Sequence, residues 1–164
     1  MIEEKSMQIV EKLIRNGWTG KSGLYVSVVP NKRSKDIITA VADVLGTECN
    51  YDDLHCIVMY SKYDSPAEKS YPKTKTFRAR MKDIQLYGKN EDSLVITLES
   101  ADLQAEHERL KKLGAKHSRE FYSPHVTIQT GKPWDDYYLE NVIDSINGRE
   151  LVFNGYSWND VVED

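Results

Sequence analysis

The sequence predicts an α+β fold: a single bilobal domain whose two similar strand-helix-strand lobes, related by a pseudo-two-fold, face a cleft. The chain has 164 residues and is 40% hydrophobic, which suits one core better than two domains. A strand-helix-strand succession occurs in each half, with no linker or low-complexity tract between them. Each succession ends in a strand-like run with one histidine, LHCIVMYS (54–61) and SPHVTIQT (123–130).

The first half begins with a helical pattern and continues as strand, helix and strand. Apolar residues recur at helical spacing before Asn16-Gly17, so residues 1–17 are expected to form an N-terminal helical extension of a domain spanning 1–164. The β-branched run LYVSVVP predicts a strand ending at Pro30. Ser34 is the expected N-cap of a helix of crossover length that ends at Gly46. The run LHCIVMYS is the second strand.

The second half repeats this plan with different residues. TFRARMKDIQLYG and SLVITLES predict two strands joined by the turn GKNED, and Ser100 is the expected N-cap of a helix that ends at Gly114. The strand HVTIQT follows. A helix over 134–146 and a final strand near RELVFNGYSW complete the prediction.

Charge and cysteine content exclude several kinds of protein. A net charge of −4 and a pI near 5.6 argue against coating DNA or membranes, although a local basic cluster can still bind a small anion. The N-terminal sequence has no long apolar core, so we expect a cytoplasmic protein with neither a long nucleic acid nor a membrane as partner. Cys49 and Cys56 lack metal-type spacing and are expected to be reduced thiols.

The two histidine strands predict an acid/base site. Because side chains alternate along a strand, His125 shares a face with Thr127, and His55 shares one with Ile57 and Met59. If both faces line the cleft, one imidazole can accept a proton while the other donates one. The Thr127 hydroxyl can then donate to a phosphate oxygen. The alternative for a single histidine is ordinary packing, and the matched pair makes that alternative weaker.

The spacing of the histidines and a basic stretch give further predictions about ligands. No HxH or HxxxH spacing accompanies the pair, so we expect no metal and no cofactor. His107 and His117, on or just after a charged helix, are expected to be surface or boundary residues. The stretch 69–82 is basic without acids, and within it Lys73 and Lys75 are candidate phosphate ligands. The alternation of Arg78, Arg80 and Lys82 with apolar residues predicts a solvated strand face instead.

LHCIVMYS and PHVTIQT resemble the paired motifs (His, any residue, Thr or Ser, apolar residue) of the two-histidine (2H) phosphoesterase superfamily, whose fold is LigT-like. The resemblance covers about Gly23 to Trp158, with the histidines at positions 55 and 125. Within this superfamily, GLYV before the first motif and MYS after it look most like the phage anti-CBASS phosphodiesterases. Those enzymes degrade the cyclic di- and trinucleotides, such as cyclic GMP-AMP, with which bacteria signal infection.

The resemblance implies a role for each matching residue. His55 and His125 would be the general acid and base, in an order left open, and Thr127 would steady the scissile phosphate. The ribose 2'-hydroxyl would attack the adjacent 3',5'-phosphodiester without metal, in the host cytoplasm if the protein is phage-encoded. Tyr25 and Trp158 resemble aromatic residues that stack on nucleobases. Packing in the core is the alternative for both.

Ile57 departs from the family motif, because it stands where the family has a hydroxyl. A hydrogen bond to a charged group contributes about 1.5 to 3 kcal/mol, so its loss would slow the reaction roughly ten- to a hundred-fold. Ser27, on a strand expected beside the first motif, is a candidate substitute. Two other functions stay open: a phosphodiesterase for RNA 2',3'-cyclic phosphate ends or 2',5'-linked oligonucleotides, and a catalytically weak protein that sequesters a nucleotide.

Overall fold

A computed structural model describes residues 23–61, 69–118, 121–131 and 134–161. These residues form six strands and three helices. The predicted helix within 1–17 lies outside these residues. A 3-10 turn at Tyr51–Asp53 precedes the second strand. In chain order the elements are β1 (Gly23–Pro30), α1 (Lys32–Val44), β2 (Cys56–Ser61), β3 (Phe77–Tyr87), β4 (Ser93–Glu99), α2 (Ala101–Lys112), β5 (His125–Thr130), α3 (Leu139–Ile146) and β6 (Glu150–Val161).

The strands form one closed antiparallel sheet in the order β1-β2-β5-β4-β3-β6. This arrangement confirms the predicted α+β domain with two strand-helix-strand lobes, β1-α1-β2 and β4-α2-β5. The expectation of crossover geometry was wrong, because β1 pairs antiparallel with β2 and β4 with β5. After α1 the segment 45–55, which contains the 3-10 turn, returns the chain to the end of the sheet where β1 finished, since β2 runs antiparallel to β1.

The helix starts follow local hydrogen bonding. Ser100 caps α2 as predicted, since its hydroxyl accepts from the Leu103 amide at 3.0 Å. The predicted cap of α1 was wrong. Asn31 is the N-cap, with its side-chain oxygen accepting from the Ser34 amide at 2.9 Å. Ser34 is buried in the first turn of the helix and accepts a hydrogen bond from the Val152 amide at 2.7 Å.

The last helix is shorter than predicted and begins at Leu139 rather than near residue 134. The side chain of Asp135 accepts a hydrogen bond from the Tyr137 amide at 2.9 Å, and the Asp135 amide donates to the Leu45 carbonyl at 2.7 Å. These hydrogen bonds satisfy the backbone amides of Asp135 and Tyr137 without a helix. Asp and Asn side chains commonly compete with helix formation in this way.

The core lies where the apolar faces of the sheet meet the helices. Alternation is clear in β3, where Phe77, Ala79 and Met81 are buried and the intervening basic residues are exposed, as predicted. Cys49 and Cys56 are both free thiols, as expected. None of the helices in the described residues is long and apolar enough to cross a membrane. The largest fully buried side chains are Phe153, Ile38, Leu45, Met59, Met81, Leu94, Ile96, Leu103, Leu110 and Leu151.

Candidate active site

The two histidines flank the point where the lobes meet. Cys56 pairs with Val126 across β2 and β5, and both side chains are 0% exposed. His55 and His125 each precede one member of this pair, so their side chains point to the opposite face of the sheet. Continuing the antiparallel register by one residue sets His55 across from Thr127. The pairing therefore brings the two motifs together on one face.

Both imidazoles make the same kind of hydrogen bond to a backbone carbonyl. His55 Nδ1 lies 2.6 Å from the carbonyl oxygen of Asp53, and His125 Nδ1 lies 2.9 Å from that of Ser123. In each case the acceptor is two residues before the histidine. Because a carbonyl oxygen can only accept, Nδ1 carries the proton in both rings. Proton transfer to or from a substrate therefore falls to Nε2 in both rings.

Tyr25 reaches the first histidine from β1. Its hydroxyl lies 2.8 Å from His55 Nε2, and the ring centroids are 6.2 Å apart. Burial, and after it the nearby Asp53 carboxylate, raises the pKa of the Tyr25 phenol above its ordinary value. The phenol thus remains a hydrogen-bond donor at neutral pH and donates to His55 when Nε2 is unprotonated.

A β-bulge changes the alternation predicted for β2. Val26 pairs with Met59 and Ser27 pairs with Ile57, so Val58 is the extra residue. Val58 and Met59 are both 0% exposed, which corrects the prediction that Met59 shares the face of His55. Beyond the bulge, the half-buried Tyr60 pairs with Tyr25, and their rings contact edge to face. The predicted alternation therefore holds from His55 to Val58, with Cys56 and Val58 buried, and fails at Met59.

The second histidine has a different neighbour. The ring of Tyr87, at the end of β3, contacts the ring of His125 edge to face at 4.8 Å between centroids. Thr127 is exposed on the face that His125 occupies, while Val126 and Ile128 are buried. This confirms the predicted alternation in β5 for these residues. Each histidine thus has a tyrosine beside it: Tyr25 comes from β1, the neighbour of β2, and Tyr87 comes from β3, which β4 separates from β5.

A cluster of polar side chains, of which His107 is buried, hydrogen-bonds to the backbone of β2. The Tyr122 hydroxyl donates to the Ile57 carbonyl at 2.8 Å, and His107 Nδ1 donates to the Val58 carbonyl at 2.7 Å. The rings of Tyr122 and His107 stack at 4.3 Å. His117 Nδ1 accepts from the Tyr60 amide at 3.3 Å. The surface position expected for His107 was wrong, because its side chain is 4% exposed and fills the space between α2 and β2.

Four of the predicted substrate contacts lie elsewhere or remain untested. Trp158 pairs with Val26 on the core side of the sheet and is 6% exposed, so the structure places it in the hydrophobic core. Lys73 and Lys75 are exposed, and the Lys75 ammonium lies 4.9 Å from the centre of the Tyr71 ring. Their contact with substrate stays a prediction. Ser27 is buried across from Ile57.

Metal ligands are not grouped in the regions that the structure describes. No cluster of three or more His, Cys, Asp or Glu side chains there could hold a metal ion. The site consists of two imidazoles, the Thr127 hydroxyl and two tyrosines, a set that can transfer protons and bind a phosphate by hydrogen bonds.

A comparison with known families decides the assignment. The sequence matches the family described as Anti-CBASS protein Acb1 over residues 22–144, which includes both histidine motifs. The chain belongs to the Acb1 family. Membership supports a phosphodiesterase that acts against CBASS, the bacterial anti-phage signalling system. The matched region of this Acb1-family protein includes Tyr25, Ile57 and Thr127 and ends before Trp158.

Solved structures show more distant likeness to this Acb1-family protein. Escherichia coli LigT is 12% identical with a TM-score of 0.48, and the match covers 85% of this chain and 87% of LigT. The same values hold for E. coli LigT complexed with NADP+. Usb1 from Kluyveromyces marxianus is 9% identical with a TM-score of 0.43, covering 87% of this chain and 96% of Usb1. None of the curated protein sequences matches the chain significantly.

Sequence reasoning missed two contributors to the site of this Acb1-family protein. Tyr87 is separated from His125 by a strand and a helix, and no motif connects them. Tyr122 lies three residues before His125, yet nothing in the sequence indicates that its hydroxyl reaches the Ile57 carbonyl on the other motif. Both contacts depend on how the closed sheet brings distant segments together.

Proposed function

We propose that this protein is a metal-independent phosphodiesterase that cleaves cyclic di- or trinucleotide messengers of CBASS in the host cytoplasm. The observation that carries the proposal is the matched pair His55 and His125. Each is held through Nδ1 by a carbonyl two residues earlier, and each lies beside the Cys56 and Val126 pair where the lobes meet. Membership of the anti-CBASS family supplies the class of substrate.

The chemistry follows from the two imidazoles. One Nε2 takes the proton of the ribose 2'-hydroxyl as its oxygen attacks the adjacent 3',5'-phosphate. The other imidazole, protonated, donates a proton to the departing 5'-oxygen. The new P–O bond closes a 2',3'-cyclic phosphate, the old P–O bond breaks, and a 5'-hydroxyl is released. The Thr127 hydroxyl donates to a phosphoryl oxygen, on which charge accumulates in the transition state.

Nucleobase binding falls to the tyrosines in this proposal. Tyr25 is half-buried on the site face, and Tyr87 lies against His125, so a base entering the cleft can stack on either ring. Stacking contributes about 1 to 3 kcal/mol per base and tolerates different bases. The Trp158 side chain is left out of this role because it packs in the core.

The test is turnover of defined substrates in the presence of EDTA. Purified protein is incubated with 3',3'- and 2',3'-linked cyclic di- and trinucleotides, and with linear 2',5'-linked and 2',3'-cyclic-phosphate-ended oligonucleotides. Products are followed by mass spectrometry beside His55→Ala and His125→Ala. We expect cleavage of one or more cyclic messengers by the wild-type protein and loss of at least a hundredfold in each variant, about 3 kcal/mol of barrier.

Other outcomes would replace the proposal. Cleavage confined to the linear substrates would indicate an enzyme of RNA ends or 2',5'-linked oligonucleotides. Tight binding of a cyclic messenger without products would indicate a sequestering protein. Cleavage that persists in both histidine variants, or disappears only when EDTA is added, would contradict the two-histidine mechanism. His117→Gln is the control, because it removes a third imidazole while the glutamine side-chain oxygen can still accept from the Tyr60 amide.

A further inference from the structure

The side chains of Tyr25 and His55 meet above the position of Ile57. Tyr25 pairs with Tyr60, whereas Ser27 pairs with Ile57 and Val28 with Cys56. The backbone of His55 is therefore farther from the backbone of Tyr25 than that of Ile57 is. Nevertheless the Tyr25 hydroxyl is 2.8 Å from His55 Nε2. The two side chains must therefore extend toward each other along the face that Ser27 and Ile57 occupy. The 5% exposure of Ser27 fits a residue covered in this way.

We propose that the Tyr25 hydroxyl supplies the hydrogen bond to the scissile phosphate that Ile57, without a hydroxyl, cannot make. This inference rests on the proposed phosphodiesterase function. It assigns Tyr25 a catalytic role through its hydroxyl, separate from any stacking of its ring on a base. Thr127 performs the corresponding role two residues after His125.

The protonation state of His55 controls the Tyr25 donor. The phenol has one proton, which it donates to Nε2 when His55 is neutral. An imidazolium has no free lone pair on Nε2, so once His55 is protonated the phenol proton is available to a phosphoryl oxygen. Tyr25 therefore donates to the phosphate in the state that carries a positive imidazolium beside it. No bond to Tyr25 forms or breaks.

Ser27 is the competing candidate for the missing hydroxyl. It pairs directly with Ile57, but its side chain is only 5% exposed and is covered by the side chains of Tyr25 and His55. A substrate phosphate approaching from the cleft meets the Tyr25 hydroxyl first. The geometry therefore favours Tyr25 over Ser27, and both are included in the test.

The experiment removes one hydroxyl and then restores another. Tyr25→Phe keeps the ring and should lower kcat about 10- to 100-fold with little change in KM, the expected effect of losing one charge-assisted hydrogen bond in the transition state. The double variant Tyr25→Phe/Ile57→Thr should regain most of the lost kcat, because it restores the hydroxyl of the family motif. Tyr51→Phe, which loses an exposed hydroxyl bonded to Asp36, is the matched control.

The outcomes separate this inference from the proposed function. If wild-type protein cleaves the cyclic substrate but Tyr25→Phe retains its kcat, the inference is wrong and the proposed function stands. A loss that Ile57→Thr does not reduce also overturns the inference, since a different role of Tyr25 would then explain it. A hundredfold loss in Ser27→Ala beside an active Tyr25→Phe assigns the role to Ser27. If wild-type protein cleaves none of the substrates, the proposed function itself fails.

Discussion

Cys56 faces Val126 across β2 and β5, and neither side chain is exposed to solvent. This buried pair explains why both imidazoles lie on the same face of the sheet. Each histidine is the residue before a member of the pair, and neighbouring residues of a strand point to opposite faces. Burial of the Cys56 and Val126 side chains thus turns both imidazoles to the opposite face of the sheet, away from the core.

The Thr127 hydroxyl should be needed for turnover. Thr127→Val keeps the β-branched shape and removes the hydroxyl, so we expect kcat for a cyclic messenger to fall about 10- to 100-fold. Thr127→Ser should retain most of the activity. The control is Thr130→Val, an exposed position on the same strand. Unchanged kcat in Thr127→Val, at an unchanged melting temperature, would remove Thr127 from the mechanism.

Trp158 should matter for stability rather than for substrate binding. Because it is 6% exposed and packs against the core side of β1, Trp158→Ala should cost about 3–5 kcal/mol in free energy of unfolding. Trp158→Phe keeps an aromatic core residue, and its KM should equal that of the wild-type enzyme. Urea unfolding and steady-state kinetics measure the two effects. A raised KM in Trp158→Phe without loss of stability would instead support base stacking.

Glu106 should be a strong contributor to stability. Its buried carboxylate accepts from the Arg109 guanidinium at 2.6 and 2.8 Å and from the Tyr156 hydroxyl, while Arg109 also donates to the Ser70 carbonyl at 2.7 Å. Glu106→Gln removes the charge and one acceptor, so the free energy of unfolding should fall by about 1.5–3 kcal/mol.

Glu108→Gln is the matched control for this measurement. Glu108 lies on the same helix and pairs with Lys111 at 3.6 Å, but both side chains are more than half exposed. Surface ion pairs contribute little, so the change should stay within about 0.5 kcal/mol. Equal losses in the two glutamine variants would show that burial of Glu106 does not decide its contribution.

Acid should destabilise the protein partly through His107. Burial, the largest cause, lowers the pKa of this imidazole in the folded state, although the Val58 carbonyl and Glu108 oppose the shift and Lys111 adds to it. As pH falls below the ordinary histidine pKa of about 6.5, the unfolded chain therefore takes up a proton that the folded protein does not. Stability is complete above that pH and decreases below it.

The measurement compares urea unfolding at pH 7.5 and pH 5.5 for wild-type protein and His107→Asn. The asparagine side chain can still donate to the Val58 carbonyl but does not titrate. The neighbouring His117 and Tyr122 rings are present in both proteins, so their effects cancel. We expect a smaller loss of stability on acidification in the variant. An equal loss in both proteins would contradict the assigned role of His107.

The elements and half of the site could be predicted from local patterns. Strand alternation identifies buried Val126 and Ile128 beside exposed Thr127, and a serine before a helical pattern identifies the cap at Ser100. These features depend on residues within one strand or one helical turn. The paired histidine motifs likewise lie each within a few consecutive residues, so the sequence alone indicates two-histidine chemistry.

Tertiary structure alone decided which side chains surround the histidines. The bulge at Val58 arises from pairing with β1, and it turns Met59 into the core. The contact between Tyr25 and His55 joins residues thirty positions apart, and that between Tyr122 and the Ile57 carbonyl joins residues sixty-five apart. Periodicity within a segment predicts which residues share a face. Only the pairing of distant strands determines which faces meet, because the register is set by packing of the whole sheet.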